Sequence, residues 1–336
     1  MVLVTGGAGY VGSHVVRELL RAGRRVVVYD NLSTGHRSLV EAQPPGIEVF
    51  IAGDVRDADL LSRVMQDYGV TAVVHLAASS LVGESMRNPS PAFENNMVGG
   101  VRLLEAIRRC GVKDIVFSSS AAVYGEPESI PIEENHPCRP VNPYGETKLF
   151  IERMLAWHAK AYGLRYISLR YFNAAGADEA GDIGEDHNPE THLIPLLMRA
   201  ALGAIDKASI FGTDYPTKDG TAVRDFVHVS DLATAHVLAL DALERGVTGP
   251  VNLGAETGNT VLEVLAACER AAGKRIPVEM APRREGDPVA LVASTRRAAE
   301  ILSWKPQRPS LEDIVASAWK WHSRNPHGFA GKSRRP

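Results

Sequence analysis

The chain has few cysteines, few aromatic residues and no surplus of charge of either sign, and each shortage excludes a class of protein. Three cysteines in 336 residues (Cys110, Cys138 and Cys268) lie far apart and never as C-x-x-C. Neither a disulfide framework nor a cysteine zinc site fits, so a reducing compartment, the cytoplasm, is expected. The 37 Lys and Arg against 40 Asp and Glu leave a net charge of −3. That balance argues against nucleic acid or an anionic membrane as a main partner. No apolar run approaches the roughly 18 residues of a membrane span. The first motif begins at Thr5, so no signal peptide is expected ahead of it. Aromatics at 6% are lean and glycine at 30 copies is rich, a composition that favours an α/β fold.

What is present is an alternation of short apolar runs with longer helix-period stretches. Val2–Val4, Arg25–Tyr29, Glu48–Ile51, Ala72–Leu76 and Ile115–Phe117 read as strands, nearly continuous in apolar character. Such runs suit a parallel sheet covered on both faces. Ser13–Ala22, Asp59–Tyr68, Pro91–Cys110 and Tyr144–Tyr162 read as the helices between them. The succession predicts a Rossmann-type, doubly wound parallel sheet in residues 1–173, which Arg165–Tyr171 extends. After residue 173, glycine, proline and acidic residues crowd the chain as far as Pro195. Shorter elements follow: strands at Val247–Leu253 and Ile276–Met280, helices at Thr260–Ala272 and Ser310–Trp321. They predict a smaller α/β substrate-binding lobe over 174–328, with segment 224–243 returning to the first lobe. Residues 329–336, rich in Lys and Arg, are expected to fray.

Thr5-Gly6-Gly7-Ala8-Gly9-Tyr10-Val11-Gly12 follows the first strand directly and opens a helix. Glycines at 6, 9 and 12 permit a tight turn and close backbone approach to a pyrophosphate at a helix N-terminus. Asp30 ends the second strand 18 residues after Gly12. A carboxylate there accepts ribose hydroxyls and repels a 2′-phosphate, favouring NAD over NADP, with Arg37 nearby opposing. Asp54 ends the third strand, where it suits the adenine amino group or a plain helix cap. The glycine turn also has a plain structural reading, which the strand–turn–helix context weighs against.

Tyr144 and Lys148 stand at i and i+4, on one helix face, and Ser118-Ser119-Ser120 follows the strand ending at Phe117. That carboxyl edge is where ligands bind in open α/β folds. A phenol with a reference pKa near 10 needs a depression of roughly three units, about 4 kcal/mol, to act as a base near neutrality. One cation about 4 Å away at an effective dielectric of about 20 supplies roughly that. Lys148, aided by a positively charged nicotinamide, is expected to supply it. Ser120 would hydrogen-bond the same substrate oxygen.

The glycine motif, Ser120 and Tyr144-x-x-x-Lys148 resemble the extended short-chain dehydrogenase/reductase family. Arg170–Asn173, Gly184–Asp186, Phe211–Thr217, Asp219–Thr221, Val223–Val229 and Ala281–Asp287 resemble, motif for motif, its UDP-glucose 4-epimerase branch. The resemblance implies a redox epimerisation: Tyr144 takes the sugar 4-hydroxyl proton while C4 gives its hydride to a tightly held NAD. It implies that Gly6, Gly9, Tyr10, Val11, Gly12, Asp30, Asn31, Asp54, Val55, Leu76, Ala77, Ala78 and Asn95 contact NAD. Ser120, Tyr144, Lys148 and Phe172 would join them. Asn173, Leu193, Phe211, Arg224, Arg284, Asp287 and Leu291 would hold the UDP-sugar beside Ser120 and Tyr144. A homodimer through helices 91–110 and 144–162 is implied as well.

Dehydratases of this family carry Thr-Asp-Glu before Val-Tyr-Gly, and elimination needs that acid pair. Here Ser120-Ala121-Ala122 precedes Val123-Tyr124-Gly125. A relative with different sugar specificity and a non-catalytic NAD-binding protein are the other readings. Leu291 stands where some members carry a tyrosine, which leaves space for N-acetylated sugars. Ser80 replaces a lysine that some members hold near the nicotinamide. The loop with Glu185, Asp186, His187, Glu190 and His192 is expected to hold no metal, because Pro189 breaks the helical spacing of its histidines. His75, inside an apolar strand, is expected to be a satisfied core histidine.

Overall fold

The computed structural model describes residues 1–284 and 286–329. Its centre is a seven-stranded sheet. The strands are, in chain order, β1 (Val2–Thr5), β2 (Val26–Asp30), β3 (Ile47–Ala52), β4 (Ala72–His75), β5 (Asp114–Ser120) and β6 (Arg165–Tyr171). The seventh comes later, after the short strands β7 (Asn173–Ala175), β8 (Ala208–Phe211), β9 (Val223–Arg224) and β10 (Phe226–His228). It is β11 (Gly249–Leu253). The order across the sheet is β11-β6-β5-β4-β1-β2-β3, and every neighbouring pair is parallel. β1, β2 and β4 are almost wholly buried, as their unbroken Val and Leu runs require, whereas the edge strand β3 is only half covered.

Two apolar layers close on the sheet. One joins Val4, Val28, Val116 and Leu169 to Val15, Val16 and Leu19 of the helix Tyr10–Arg21 and to Leu232, Ala239 and Leu243 of the helix Val229–Glu244. The other joins Leu3, Val27, Val73 and Phe117 to Leu61, Leu104, Ile107, Ile151 and Leu155. The order reverses between β1 and β4, so a crevice opens at their carboxyl ends, where ligands of open α/β sheets bind.

The second lobe gathers β8 and β13 (Val278–Ala281) with the helices Leu193–Ala201, Val261–Ala272 and Leu311–Arg324 around Leu197, Met198, Ile210, Val264 and Ile314. β12 (Asn259–Thr260) and β14 (Ala290–Leu291) flank β9 in a separate three-stranded sheet. The helix Leu193–Ala201 begins inside the stretch whose composition suggested only loop.

The first lobe draws on more of the later chain than segment 224–243. Val229–Glu244 packs in its core, β11 extends its sheet beside β6, and Ala298, Leu302 and Trp304 join the same apolar layer. A single cut at residue 173 therefore does not follow the packing: β6 needs a neighbour, and β11 supplies it. Phe329, the first residue of the segment expected to fray, is held in place. Phe329 is buried against Trp321 and His36, with ring centroids 5.4 and 5.0 Å apart, and its amide donates to Asp186 Oδ2 at 2.8 Å. Residues 330–336 of that expected tail, and Glu285 of the motif Ala281–Asp287, lie outside the described residues.

Candidate active site

The glycine turn is built for backbone contact. Gly6 has φ +78°, and a Cβ there would lie 2.5 Å from the Ala77 amide nitrogen. A Cβ on Gly12 would lie 2.0 Å from the Gly6 carbonyl oxygen. Any side chain at either position would prise β1, β4 and the helix Tyr10–Arg21 apart. Gly9 is the N-cap of that helix and supplies no side-chain cap. The first-turn amides of Tyr10, Val11 and Gly12 precede any intrahelical acceptor, so they are free to meet an anion. Tyr10 reaches this surface through its backbone alone. Its hydroxyl donates to Gly176 O at 2.7 Å, and its ring lies edge-on to His14 and His187.

Asp30 ends β2 with its carboxylate accepting from Ala8 N (3.0 Å) and Leu32 N (2.8 Å). Burial pushes its acidity toward a higher pKa, and those two amides oppose it. Asn31 donates to Asp54 Oδ2 at 3.2 Å, so the ends of β2 and β3 meet as expected. Asp54 also takes Arg56 in two contacts of 2.8 and 2.7 Å, which hold its pKa well below the usual carboxylate range. Val55 is buried against Gly99, Leu76 and Ala77 donate their amides to Thr5 O, and Ala78 follows at the end of β4. Asn95 lies in a π-helical turn, Phe93–Val98, and donates to Ser79 Oγ at 3.2 Å. The stronger anchor is its neighbour Asn96. That buried amide accepts from Ser79 N (2.7 Å) and donates to Ser79 O and Thr147 Oγ1 (3.0 Å each). Sequence reasoning missed Asn96, whose only signal was a second asparagine inside a helix. A bound dinucleotide thus fits the residues present: a turn that no Cβ can enter, a carboxylate at the ribose end, and free first-turn amides.

Ser120 and Tyr144 are brought together by backbone packing. The helix Pro143–Tyr162 starts with Asn142, whose Oδ1 accepts Gly145 N at 2.8 Å, and with Pro143 at its first position. A Cβ on Gly145 would lie 2.5 Å from Ala122 O, so glycine lets this helix abut the turn that carries Ser120. The Tyr144 phenol lies near enough to the Ser120 hydroxyl for the serine to favour its ionised form. Lys148, one turn on, donates to Ser118 O at 2.8 Å and lies 5.6 Å from the Tyr144 ring centroid.

The protein's own groups favour a neutral tyrosine. Burial pushes the Tyr144 phenol up to about 12, with only the nearby Ser120 hydroxyl opposing it. Burial also lowers Lys148 to about 7 against the pull of Glu152. Lys148 alone therefore does not depress the tyrosine. Desolvation of both groups outweighs their mutual attraction, and the ammonium is directed at a backbone carbonyl.

Beneath these groups runs a buried network that sequence reasoning missed. Ser119 donates to Glu152, which pairs with Arg170 at 2.5 Å, and Arg170 donates to the Tyr124 hydroxyl at 3.0 Å. Tyr124 in turn donates to Asn252 Oδ1 at 2.7 Å, tying β11 to the floor of the site. His75 is a satisfied core histidine, 2.7 Å from Thr5 Oγ1.

On the second lobe, β9 and β14 place Arg224 opposite Leu291. Arg224 and Arg284 lie 3.8 and 3.4 Å from the two oxygens of Asp287, and Arg284 caps the Phe211 ring at 4.5 Å. Burial lowers the pKa of Arg224, and Asp287 opposes it. Leu291 packs with Phe172, Leu149, Tyr124 and Ala121, residues adjacent to Lys148 and Ser120. Asn173 opens β7 and donates its amide to Asp225 O at 2.9 Å. Asp225 was missed as well. Its buried carboxylate accepts from Ala255, Ala293 and Glu256 amides at 2.8–3.1 Å and so pins β9 to the end of β11. Leu193 opens its helix and packs against the second lobe's core, apart from the arginine cluster's contacts.

The argument that Pro189 separates the histidines of the acidic loop fails. The loop folds back on itself, and donor atoms of Glu185, His187, Glu190 and His192 all lie within 4.8 Å of one another.

Residues 2–254 match the NAD-dependent epimerase/dehydratase family. The chain belongs to this family. Its members here are similar from end to end. The UDP-glucose 4-epimerase of Halalkalibacterium halodurans is 50% identical over 334 residues, which is 99% of this chain and 98% of that one. The Brucella ovis UDP-glucose 4-epimerase in complex with NAD shares 46% identity at a TM-score of 0.91, covering 97% of this chain and 98% of its own. The Bifidobacterium longum enzyme in complex with NAD+ and UDP shares 39% identity at a TM-score of 0.93, over 98% and 99%.

Proposed function

We propose that this chain interconverts UDP-glucose and UDP-galactose at C4 through a transient 4-keto sugar, with NAD retained through the cycle. One observation carries the reading: Ser120 and Tyr144 meet at the carboxyl end of β5, in a sheet whose glycine turn accepts a dinucleotide. When bound, NAD+ supplies the hydride acceptor at C4 and a positive ring charge. Tyr144 accepts the 4-hydroxyl proton and later returns it. Ser120 holds the same oxygen, keeping the proton path short. Because burial raises Tyr144 to about 12, its ionisation waits for added positive charge. That ties proton removal to the oxidised state of the cofactor, with Glu152 favouring the charged form of Lys148 against its burial.

Arg224 and Arg284 suit the diphosphate, since a guanidinium pairs bidentately with phosphate oxygens. Asp287 positions both and accepts hydroxyls, Phe211 offers an apolar face, and Asn173, Leu193 and Leu291 border the sugar side. Gripping the nucleotide rather than the hexose leaves the keto sugar free to present its other face. Ala121 and Ala122 after Ser120 leave no acid for elimination, which disfavours a dehydratase.

Exposed apolar residues on two neighbouring helical segments support assembly as a homodimer. Phe93, Val98 and Val101 on one, with Trp157 and Tyr162 on the other, expose apolar surface, Trp157 to 66%. Sedimentation at micromolar concentration should give twice the chain mass. Among the described residues no helix is long and apolar enough to cross a membrane, and the three cysteines are free, which suits the cytoplasm.

The test is an anaerobic assay with UDP-galactose and no added nicotinamide. UDP-glucose should form, and denaturation should release one NAD per chain. Tyr144→Phe should lower turnover by about 10²–10⁴-fold while retaining NAD. Full activity in that variant would overturn the assignment.

A further inference from the structure

The connection between β7 and the helix Leu193–Ala201 contains four potential ligands that the proposed reaction does not use. Glu185 and Glu190 are carboxylates whose side chains are 4% and 2% exposed. His187 and His192 turn their Nδ1 atoms toward them. Glu190 is oriented by its own loop: its Oε1 accepts the amides of Thr191 (2.8 Å) and His192 (2.9 Å), which leaves Oε2 facing inward. His187 Nδ1 is buried and makes no hydrogen bond, although it lies 3.4 Å from Glu185 Oε1 and 3.6 Å from Glu190 Oε2. His192 Nδ1 hydrogen-bonds the same Glu185 oxygen, and the two atoms would draw apart to share an ion.

These separations have a simple meaning. Four N and O donors held tetrahedrally at about 2.0–2.2 Å from one centre stand about 3.3–3.6 Å from each other. Nitrogen at 3.4 and 3.6 Å from two carboxylate oxygens is too far for a good hydrogen bond and right for two edges of such a tetrahedron. The two carboxylates carry the charge that a dication cancels, and the ion would displace the protons that they now favour on both imidazoles. The ligand set is borderline in softness, which suits zinc or its first-row neighbours over magnesium or calcium.

From this geometry we infer that Glu185, His187, Glu190 and His192 form a structural site for one zinc-like divalent ion. The site is stapled into the fold from several sides. The His187 ring is edge-on to Tyr10, at the start of the glycine-turn helix, with centroids 6.3 Å apart. Gly184 lies against the Trp321 ring, and Asp186 holds Phe329 and His36. His192 is the N-cap of the helix that Leu193 opens. An ion here would lock the second lobe's first helix to the cofactor-binding helix of the first lobe. It would stand apart from Tyr144 and take no part in proton transfer.

The full-length holoenzyme is the material for the test. After incubation with zinc and gel filtration, elemental analysis should find about one zinc per chain. Cobalt(II) in its place should give the intense visible bands of a tetrahedral N/O site. Chelation should lower the melting temperature by several degrees, and added zinc should restore it. His187→Ala should reduce bound metal at least tenfold while the released NAD stays at one per chain. The inference is overturned if wild-type protein retains less than a tenth of a zinc per chain and shows no cobalt bands. It is equally overturned if His187→Ala binds as much metal as wild type, since the ion then lies elsewhere. Should that variant fold poorly, the cobalt titration of wild-type protein decides alone.

Discussion

In the proposed reading, the cofactor crevice and the substrate lobe solve the same problem, holding a phosphate-rich ligand, with different materials. The crevice uses backbone: a glycine turn, helix amides and strand ends set by a buried parallel sheet. The lobe uses side chains, with Arg224, Arg284 and Asp287 mounted on two-residue strands and loops. A backbone site tolerates almost no substitution, because there is no side chain to trade. A side-chain site can be tuned residue by residue. That division suits a cofactor that stays and a substrate that must leave and vary.

The largest break in this contrast should come from the backbone side. Gly12→Val places side-chain carbon on the Gly6 carbonyl, so purified protein should release less than a tenth of the wild-type NAD on denaturation and lack activity. A variant that kept its NAD would show that the turn is not the cradle.

Lys148 probes the buried polar centre. Its pKa, about 7 when folded, lies below the reference of about 10.4, so the unfolded chain binds more protons between those values. Stability should therefore rise with pH across that window, and the cost of burying the charge is fully present below pH 7. In NAD-free protein, Lys148→Met should be the more stable by a few kcal/mol at pH 7, the gap closing toward pH 10. Urea denaturation at the two pH values measures this, and a gap independent of pH would mean that Lys148 stays charged when folded, with its pKa unshifted.

On the side-chain side, Arg224→Ala should raise KM for UDP-galactose by about 10–100-fold, the range of a lost charged hydrogen bond, with NAD content unchanged. Loss of NAD in that variant would erase the distinction between the two regions. The smallest effect is expected at Leu291. Leu291→Tyr should cut turnover of UDP-N-acetylglucosamine by roughly tenfold and leave UDP-galactose within about twofold, read as a ratio of kcat/KM. Wild-type protein that ignores the N-acetylated sugar would remove Leu291 as a determinant.

What could be read from the residues follows the same division. The apolar runs of β1, β2, β4 and β5, the glycine spacing and the i,i+4 pair Tyr144/Lys148 are local patterns, and local patterns survive translation into structure. Three things were hidden because they depend on distant segments. β11 joins β6 across the sequence, Asn96 is anchored through Ser79 and Thr147, and Asp225 binds amides from two other segments. The loop around Pro189 misled for a related reason: helical periodicity is the wrong ruler for a non-helical loop. Spacing reports neighbours such as Lys148 and says nothing of the desolvation that raises Tyr144 in the protein alone.

The late arrival of β11 also has a consequence on the ribosome. β6 is complete at Tyr171, yet its outer neighbour ends at Leu253, about eighty residues later. At about 5–20 residues per second, the nascent sheet waits roughly 4–16 s with an apolar edge unpaired and the helix Val229–Glu244 still unmade. During that interval the edge is an invitation to pair with another nascent chain. A stalled or truncated product ending soon after β6 should therefore be a client for chaperones rather than a small dinucleotide-binding protein.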